Sequence, residues 1–257
     1  MDSVSRVASS ARPAKVWSVA PEPRSRKRLL IPRLEVLLGV RYGRPLQDGL
    51  NVHAMGIRRT VLRKTIEGGH RALFVRVPLG ASRAVLGSSP AAIAGRAVEL
   101  RELWGPSAAQ RLQEQLAHAP APEAGAQLLR EAVASRIEKS DDHDAHLGMV
   151  LAATELLDHE PVGLVADRLG SSERHFRRVF RDTVGVSPKT YARLRRFRRA
   201  VGLARRSDAP DWAAIAADTG FYDQAHLIAE FRAIGGAPPR ALMTELRDAG
   251  ALRAPHT

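Results

Sequence analysis

Residues 162–184 read VGLVADRLGSSERHFRRVFRDTV, and the organisation of everything after them follows from this stretch. Leu164, Val165 and Leu169 mark a short apolar helix, Gly170 permits a left-handed turn, and Ser171-Ser172 bring hydroxyls that can cap the free amides of a second helix. On that second helix Phe176, Val179 and Phe180 fall at i, i+3 and i+4 and are expected to face a core. Arg174, Arg177, Arg178 and Arg181 take the complementary spacing, so their guanidiniums project from the other side. An arginine pairs bidentately with guanine O6 and N7 or clamps a phosphate, which suits a helix entering a DNA major groove. The alternative is a merely solvated basic face, against which the agreement of turn and cap chemistry weighs.

Downstream, Pro188 suits the first turn of a further helix, 188–206, with Tyr191, Leu194, Phe197, Ala200, Val201 and Ala204 on one stripe. Its other face holds Arg193, Arg195, Arg196, Arg198 and Arg199. Such a helix spans about 28 Å, close to the roughly 34 Å between major-groove faces one DNA turn apart. A second helix pair follows, 211–219 and 223–234, with Trp212, Ile215 and Ala216 inward and Gly220-Phe221 as the turn. A closing helix covers 238–247. Two turn-linked helix pairs around a spacer amount to an internal repeat.

The charge distribution agrees. The chain of 257 residues carries a net charge of +13, but with 35 Arg against 5 Lys an arginine-rich coding bias explains part of that. Between Arg168 and Arg206, however, twelve Arg and one Lys stand against only Glu173 and Asp182, while the last fifty residues are nearly neutral. A coding bias would scatter arginine evenly; a phosphate-tracking surface concentrates it. The absence of cysteine excludes disulfides, thiolate zinc sites and cysteine nucleophiles. No apolar run reaches membrane-spanning length and no secretory h-region opens the chain, so a cytoplasmic protein without a membrane partner is expected.

Residues from about 145 to 248 resemble the AraC-type (AraC/XylS) DNA-binding domain. The resemblance rests on ADRLGSSERHFRRVFRDTVGVSPKTY, then RRFRRAVGLARR, then IAADTGFYDQAHLIAEFRAIGGAPPRAL, in the family's order. It implies a seven-helix domain that places both second helices in successive major grooves of double-stranded DNA, usually to recruit or reposition RNA polymerase, and so an activator. It puts base contacts on Arg174, Arg177 and Arg178 in the first unit and on Gln224, Ala225, His226 and Ile228 in the second. Ser172, Arg181, Lys189, Arg195, Arg196 and Arg199 are the expected phosphate contacts. Where the family commonly has an arginine in the second recognition helix this chain has Ala229, followed by Glu230, so reading is expected to rest mainly on the first unit. A homodimer fits the short site a single domain reads.

The expected fold class is an α+β N-terminal domain followed by an all-α domain with two helix-turn-helix units joined by a linker helix. Residues 1–33, rich in Pro, Ser and Arg, are expected to form an irregular basic arm. Residues 34–140 combine short strands (34–40, 52–57, 61–66, 72–77) with helices near 82–86, 90–95, 107–118 and 122–138. Residues 249–257 form a tail. IPRLEVLLGVRYG, GIRRTVLRKT, FVRVPLGASRAVLG and VELRELWG resemble the sensor domains that precede such DNA-binding domains in one subgroup, which implies a small-molecule effector or self-association. Asp141, Asp142, His143, Asp144 and His146 suggest a metal site, but acids ahead of a helix also complement its dipole, and no metal is expected. His53 and His70 sit in strand-like surroundings and could approach each other. No GxSxG elbow, phosphate loop or HExxH pattern is present, so neither an enzyme nor a cofactor is expected. Two rival readings stand beside the regulator: a ligand-binding or enzymatic N-terminal domain with secondary DNA binding, and a DNA binder without sequence preference.

Overall fold

The computed structural model describes residues 16–19, 24–43, 50–140 and 146–249. The acidic stretch 141–144, residues 1–15 of the expected arm and the tail beyond Ala249 lie outside the described residues. The N-terminal part is built on a five-stranded antiparallel sheet in the order β1 (Val16–Val19), β6 (Arg71–Arg76), β3 (Leu37–Tyr42), β4 (Leu50–Met55), β7 (Ala97–Glu99). A second, two-stranded sheet pairs β2 (Arg26–Leu30) with β5 (Leu62–Ile66). The expectation of an irregular arm up to residue 33 is therefore corrected for 16–19 and 26–30. VWSV and RKRLL are too short to show a period on their own, and the ladders of β6 and β5, some thirty to sixty residues downstream, make them strands.

Alternation decides the faces of the large sheet. Leu38 and Val40, Val52 and Ala54, and Leu73 and Val75 align in register and are all buried. Helices α1 (Ser82–Leu86), α2 (Leu100–Trp104), α3 (Pro106–Ala117) and α4 (Pro122–Glu138) follow, and Leu112, Leu116, Leu129 and Val133 complete one core with those strand residues. A 3₁₀ turn, Pro90–Ile93, separates α1 from β7. On the sheet's other face the ring of Phe74 lies against Gly39; a Cβ there would come within 2.8 Å of it.

His53 shares that face and is 7% exposed. The register sets it opposite Gly39, whereas His70 lies beside Gly43 and bonds the Glu67 carbonyl, so the two histidines are not brought together. Burial first, and then the charges of Arg41 and Lys64, lower the His53 pKa from 6.5 to about 4. Between those values the unfolded chain binds a proton that the folded chain refuses. Stability is thus fully present above pH 6.5 and falls as pH drops toward 4. On lowering the pH from 7 to 4.5, His53 should cost about 2–3 kcal/mol. Urea unfolding at both pH values checks this: His53→Gln should lose less stability than the wild type, and an equal loss would remove His53 as the cause.

The C-terminal part is helical: α5 (Leu147–Leu156), α6 (Val162–Arg168), α7 (Glu173–Val184), α8 (Pro188–Ala204), α9 (Trp212–Thr219), α10 (Gln224–Glu230) and α11 (Pro239–Asp248). A π-helical turn, Phe231–Gly235, extends α10. The architecture is thus an α+β region followed by a seven-helix region with α8 between two helix pairs. Tyr191, Leu194, Phe197, Ala200, Val201 and Ala204 on α8 are all buried, in one core with Phe176, Val179 and Phe180 of α7 and Trp212, Ile215 and Phe231 of the second pair. Edge-to-face rings run through it, Phe176 to Phe180 to Tyr191 on one side and Trp212 to Phe231 on the other.

Three N-terminal residues, Leu29, Ile57 and Val61, belong to this helical core. Around them the Val61 amide donates to the Ile234 carbonyl at 2.8 Å. Arg63 pairs with Glu245, its Nε 2.8 Å from Oε2, and also donates to the Gly235 carbonyl at 2.9 Å. Arg198 reaches back to the Pro32 carbonyl at 2.8 Å. Against the other helix pair, Ser89 donates to the Asp182 carbonyl at 3.4 Å. Gly185, at φ 100°, ends α7 so close to Pro90 that a Cβ would lie 3.2 Å from its backbone.

Candidate nucleic-acid interface

Helix α7 starts at Ser172, whose side chain accepts from the His175 amide at 3.3 Å while its own hydroxyl proton stays available. The buried stripe of Phe176, Val179 and Phe180 then leaves Arg174, Arg177, Arg178 and Arg181 exposed together, with Ser172 beside them. Arg177 Nε donates to Glu173 Oε1 at 2.6 Å, one turn back, and Arg178 Nη2 meets His175 Nδ1 at 3.2 Å. Both contacts lie at the surface, where an ion pair contributes at most about 1 kcal/mol, so neither prevents the guanidinium from turning to a stronger anion. Lys189, at the start of α8, is exposed as well.

The linker arginines engage the protein itself. Arg195 pairs with Asp158 at 2.8 Å and also donates to the Thr154 carbonyl, tying α8 to α5. Arg199 donates to the Asp218 carbonyl at 3.0 Å. Arg196 is half-buried over the Phe221 ring, and burial, ahead of the nearby charges, lowers its pKa. Arg193 holds Glu230 with two bonds of 2.9 and 3.0 Å. The basic face of α8 thus fastens neighbouring helices, and each of Arg195, Arg196 and Arg199, the expected phosphate contacts, has such a partner within the protein. Glu230 is likewise no free repulsive charge beside DNA, because Arg193 neutralises it in a bidentate pair.

In the second unit Asp223 caps α10, accepting from the His226 amide at 2.7 Å. Gln224 and Ala225 are exposed, and His226 and Ile228 are partly so. A cleft of about 400 Å³ runs beside them, walled by Trp212, Pro238, Pro239, Arg240 and Ala241. The Tyr222 amide donates to His226 Nδ1 at 3.3 Å, and the ring stands edge-on to Phe221. A backbone N–H only donates, so Nδ1 accepts and the neutral ring carries its proton on Nε2. His226 therefore offers a donor to its surroundings, which suits guanine O6 or N7 or a phosphate oxygen. His226→Phe should weaken binding to a selected operator by about fivefold, near 1 kcal/mol, while His226→Gln, whose amide nitrogen reaches the Nε2 position, should retain most affinity. Equal losses in an equilibrium titration would assign the ring to packing on Phe221 instead.

Three exposed side chains escaped the sequence reading: Tyr222, 92% exposed in the turn before α10, Arg232 and Arg240. The internal repeat could have found two of them. Aligning the caps Ser172 and Asp223 sets Arg232 opposite Arg181, and aligning Pro188 with Pro239 sets Arg240 opposite Lys189.

A family model described as a helix-turn-helix domain matches residues 165–245, spanning both helix pairs and α8. The C-terminal region is an AraC-type helix-turn-helix domain. The chain is accordingly a DNA-binding transcription regulator. No curated protein matches it in sequence. Among solved structures it is similar to ToxT from Vibrio cholerae, at 9% identity over 90% of this chain and 97% of that one, with a TM-score of 0.43. ToxT with an unsaturated fatty acid bound (10%, 89% and 94%, 0.40) and ToxT from strain O395 bound to (E)-4-(8-methylnaphthalen-1-yl)but-3-enoic acid (10%, 91% and 98%, 0.44) are similar to the same degree. At such identity no residue role passes from ToxT to the AraC-type domain described above. No helix among the described residues is long and apolar enough to cross a membrane.

Proposed function

We propose that the protein reads operator DNA in a sequence-specific way, mainly through α7, and activates transcription by positioning RNA polymerase at the promoter. The observation that carries this reading is the exposed set Arg174, Arg177, Arg178 and Arg181 on a capped helix whose opposite stripe is buried. Arg174, Arg177 and Arg178 contact bases; Ser172, Arg181 and Lys189 contact phosphates. In α10, Gln224, Ala225, His226 and Ile228 read a second, shorter element, with Arg232 and Arg240 on its phosphates. The N-terminal α+β part responds to a small-molecule effector or joins two chains as a homodimer, and its bonds to both helix pairs give it a physical route to the reader.

Selection of random duplexes on the full-length protein, followed by a salt titration on the best sequence, tests this. Two short elements about one helical turn apart, bound far more tightly than random DNA, are expected. No enrichment, with affinity that vanishes as salt is added, would leave only a non-specific electrostatic surface.

A further inference from the structure

Tyr222 is 92% exposed in the turn between α9 and α10, one residue before the cap of α10. The backbone there is fixed from both sides. Phe221 is buried and its amide donates to the Ala216 carbonyl at 3.0 Å, while the Tyr222 amide donates to His226 Nδ1 and Asp223 accepts from the His226 amide. The ring is thus carried at the leading end of α10, ahead of Ala225, Ile228 and Ala229, which share one helix face by their i, i+3, i+4 spacing; both alanines are exposed and Ile228 is half-buried. We infer that Tyr222, with Ala225 and Ile228, reads the C5-methyl groups of thymine, so that the second unit selects A·T pairs. The inference rests on the reading of α10 as a base-contacting helix and names the base that it takes.

The internal repeat shows what has changed between the two units. With the caps Ser172 and Asp223 aligned, Arg174, Arg177 and Arg178 of α7 fall on Ala225, Ile228 and Ala229, and Ser171 falls on Tyr222. Three guanidiniums and a hydroxyl are replaced by three aliphatic side chains and an aromatic one. From Gly220 to Glu230 there is no Lys or Arg to fork on guanine O6 and N7, and the two acids are engaged, Asp223 as the cap and Glu230 with Arg193. In the major groove the one apolar feature of a base edge is the thymine methyl, and the adenine paired with it presents N6 and N7, which a glutamine amide matches. Gln224 is exposed next to Ala225 and supplies that amide. Apolar surface also continues beyond Ile228 into the cleft walled by Trp212, Pro238, Pro239 and Ala241. The Nε2 donor of His226 is left for a phosphate oxygen or a flanking guanine.

The test takes the best duplex from the random selection on the full-length protein and replaces every thymine of its second element by deoxyuridine, which removes the methyl alone. A second element rich in A·T pairs is expected, and deoxyuridine there should weaken binding about fourfold for each methyl that is buried. Tyr222→Ser, which puts in this turn the side chain that Ser171 has in the first, should weaken the thymine duplex and leave the deoxyuridine duplex nearly unchanged. Tyr222→Phe keeps the ring and should keep the preference for thymine. A second element rich in G·C pairs, or equal affinity for the thymine and deoxyuridine duplexes, would overturn the inference, and a Tyr222→Ser loss of the same size on both would remove Tyr222 from it. Absence of any second element would instead refute base reading by α10 itself, so the two failures are distinguishable.

Discussion

Phe197→Ala lowers the stability of the helical domain by about 3–5 kcal/mol and abolishes DNA binding under conditions where the wild type binds. The side chain is fully buried at the middle of α8, with its ring 4.9 Å from that of Phe231. Phe231 belongs to the second unit, whereas Tyr191, two turns earlier on the same stripe, packs on Phe180 of the first. One core therefore serves both readers, and a cavity at its centre loosens each of them. Against a typical total of about 5–15 kcal/mol the loss is a large share. Denaturant unfolding with a parallel binding titration measures both effects. A loss below about 1 kcal/mol would mean that the two helix pairs fold without leaning on α8.

The joint variant Arg174→Ala, Arg178→Ala is the second. Each guanidinium, if it reads a base, contributes about 1–3 kcal/mol of discrimination, so the pair should cost on the order of a hundredfold in affinity for the selected operator and far less on scrambled DNA. Gln224→Ala with Ile228→Ala should cost less, because α10 presents no cation at the positions equivalent to Arg174, Arg177 and Arg178. Titrations on both duplexes at one fixed salt concentration decide the matter. A loss of equal size on operator and scrambled DNA would turn the two arginines into phosphate contacts.

How much of this was legible in the sequence depends on how far each determinant sits from the residue it determines. The cap at Ser172, the stripe of Phe176, Val179 and Phe180, and the exposed arginines between them lie within ten residues, and a local pattern carries them. The boundaries of α1 and α4 follow from similarly local signals. The partners of the linker arginines were not legible, because Asp158, Asp218 and Glu230 lie some twenty to forty positions from Arg195, Arg199 and Arg193, and composition says nothing of which charges meet. Strands β1 and β2 and the three-residue β7 were missed for the same reason, since another segment's ladder defines each of them. Of the candidate site, α7 with its cap and its exposed arginines was readable; the proton position on His226 needed the Tyr222 amide, which only the folded turn supplies.

The two readers are not separated by α8 alone. Pro90 and Ser89 press on the end of α7, while Val61 and Arg63 grip the turn after α10 and the Glu245 side chain. The N-terminal part, through its 3₁₀ turn and its two-stranded sheet, thus closes a frame whose opposite side is the linker helix. Adding one base pair between operator elements moves the second by about 3.4 Å and rotates it by about 34°. A helix by itself can bend toward such a site; a frame braced on two sides must give at a brace first. If both helix pairs read DNA as proposed, the intact chain should gauge operator spacing more strictly than its seven helices alone, and loosening the brace should widen the spacings it accepts.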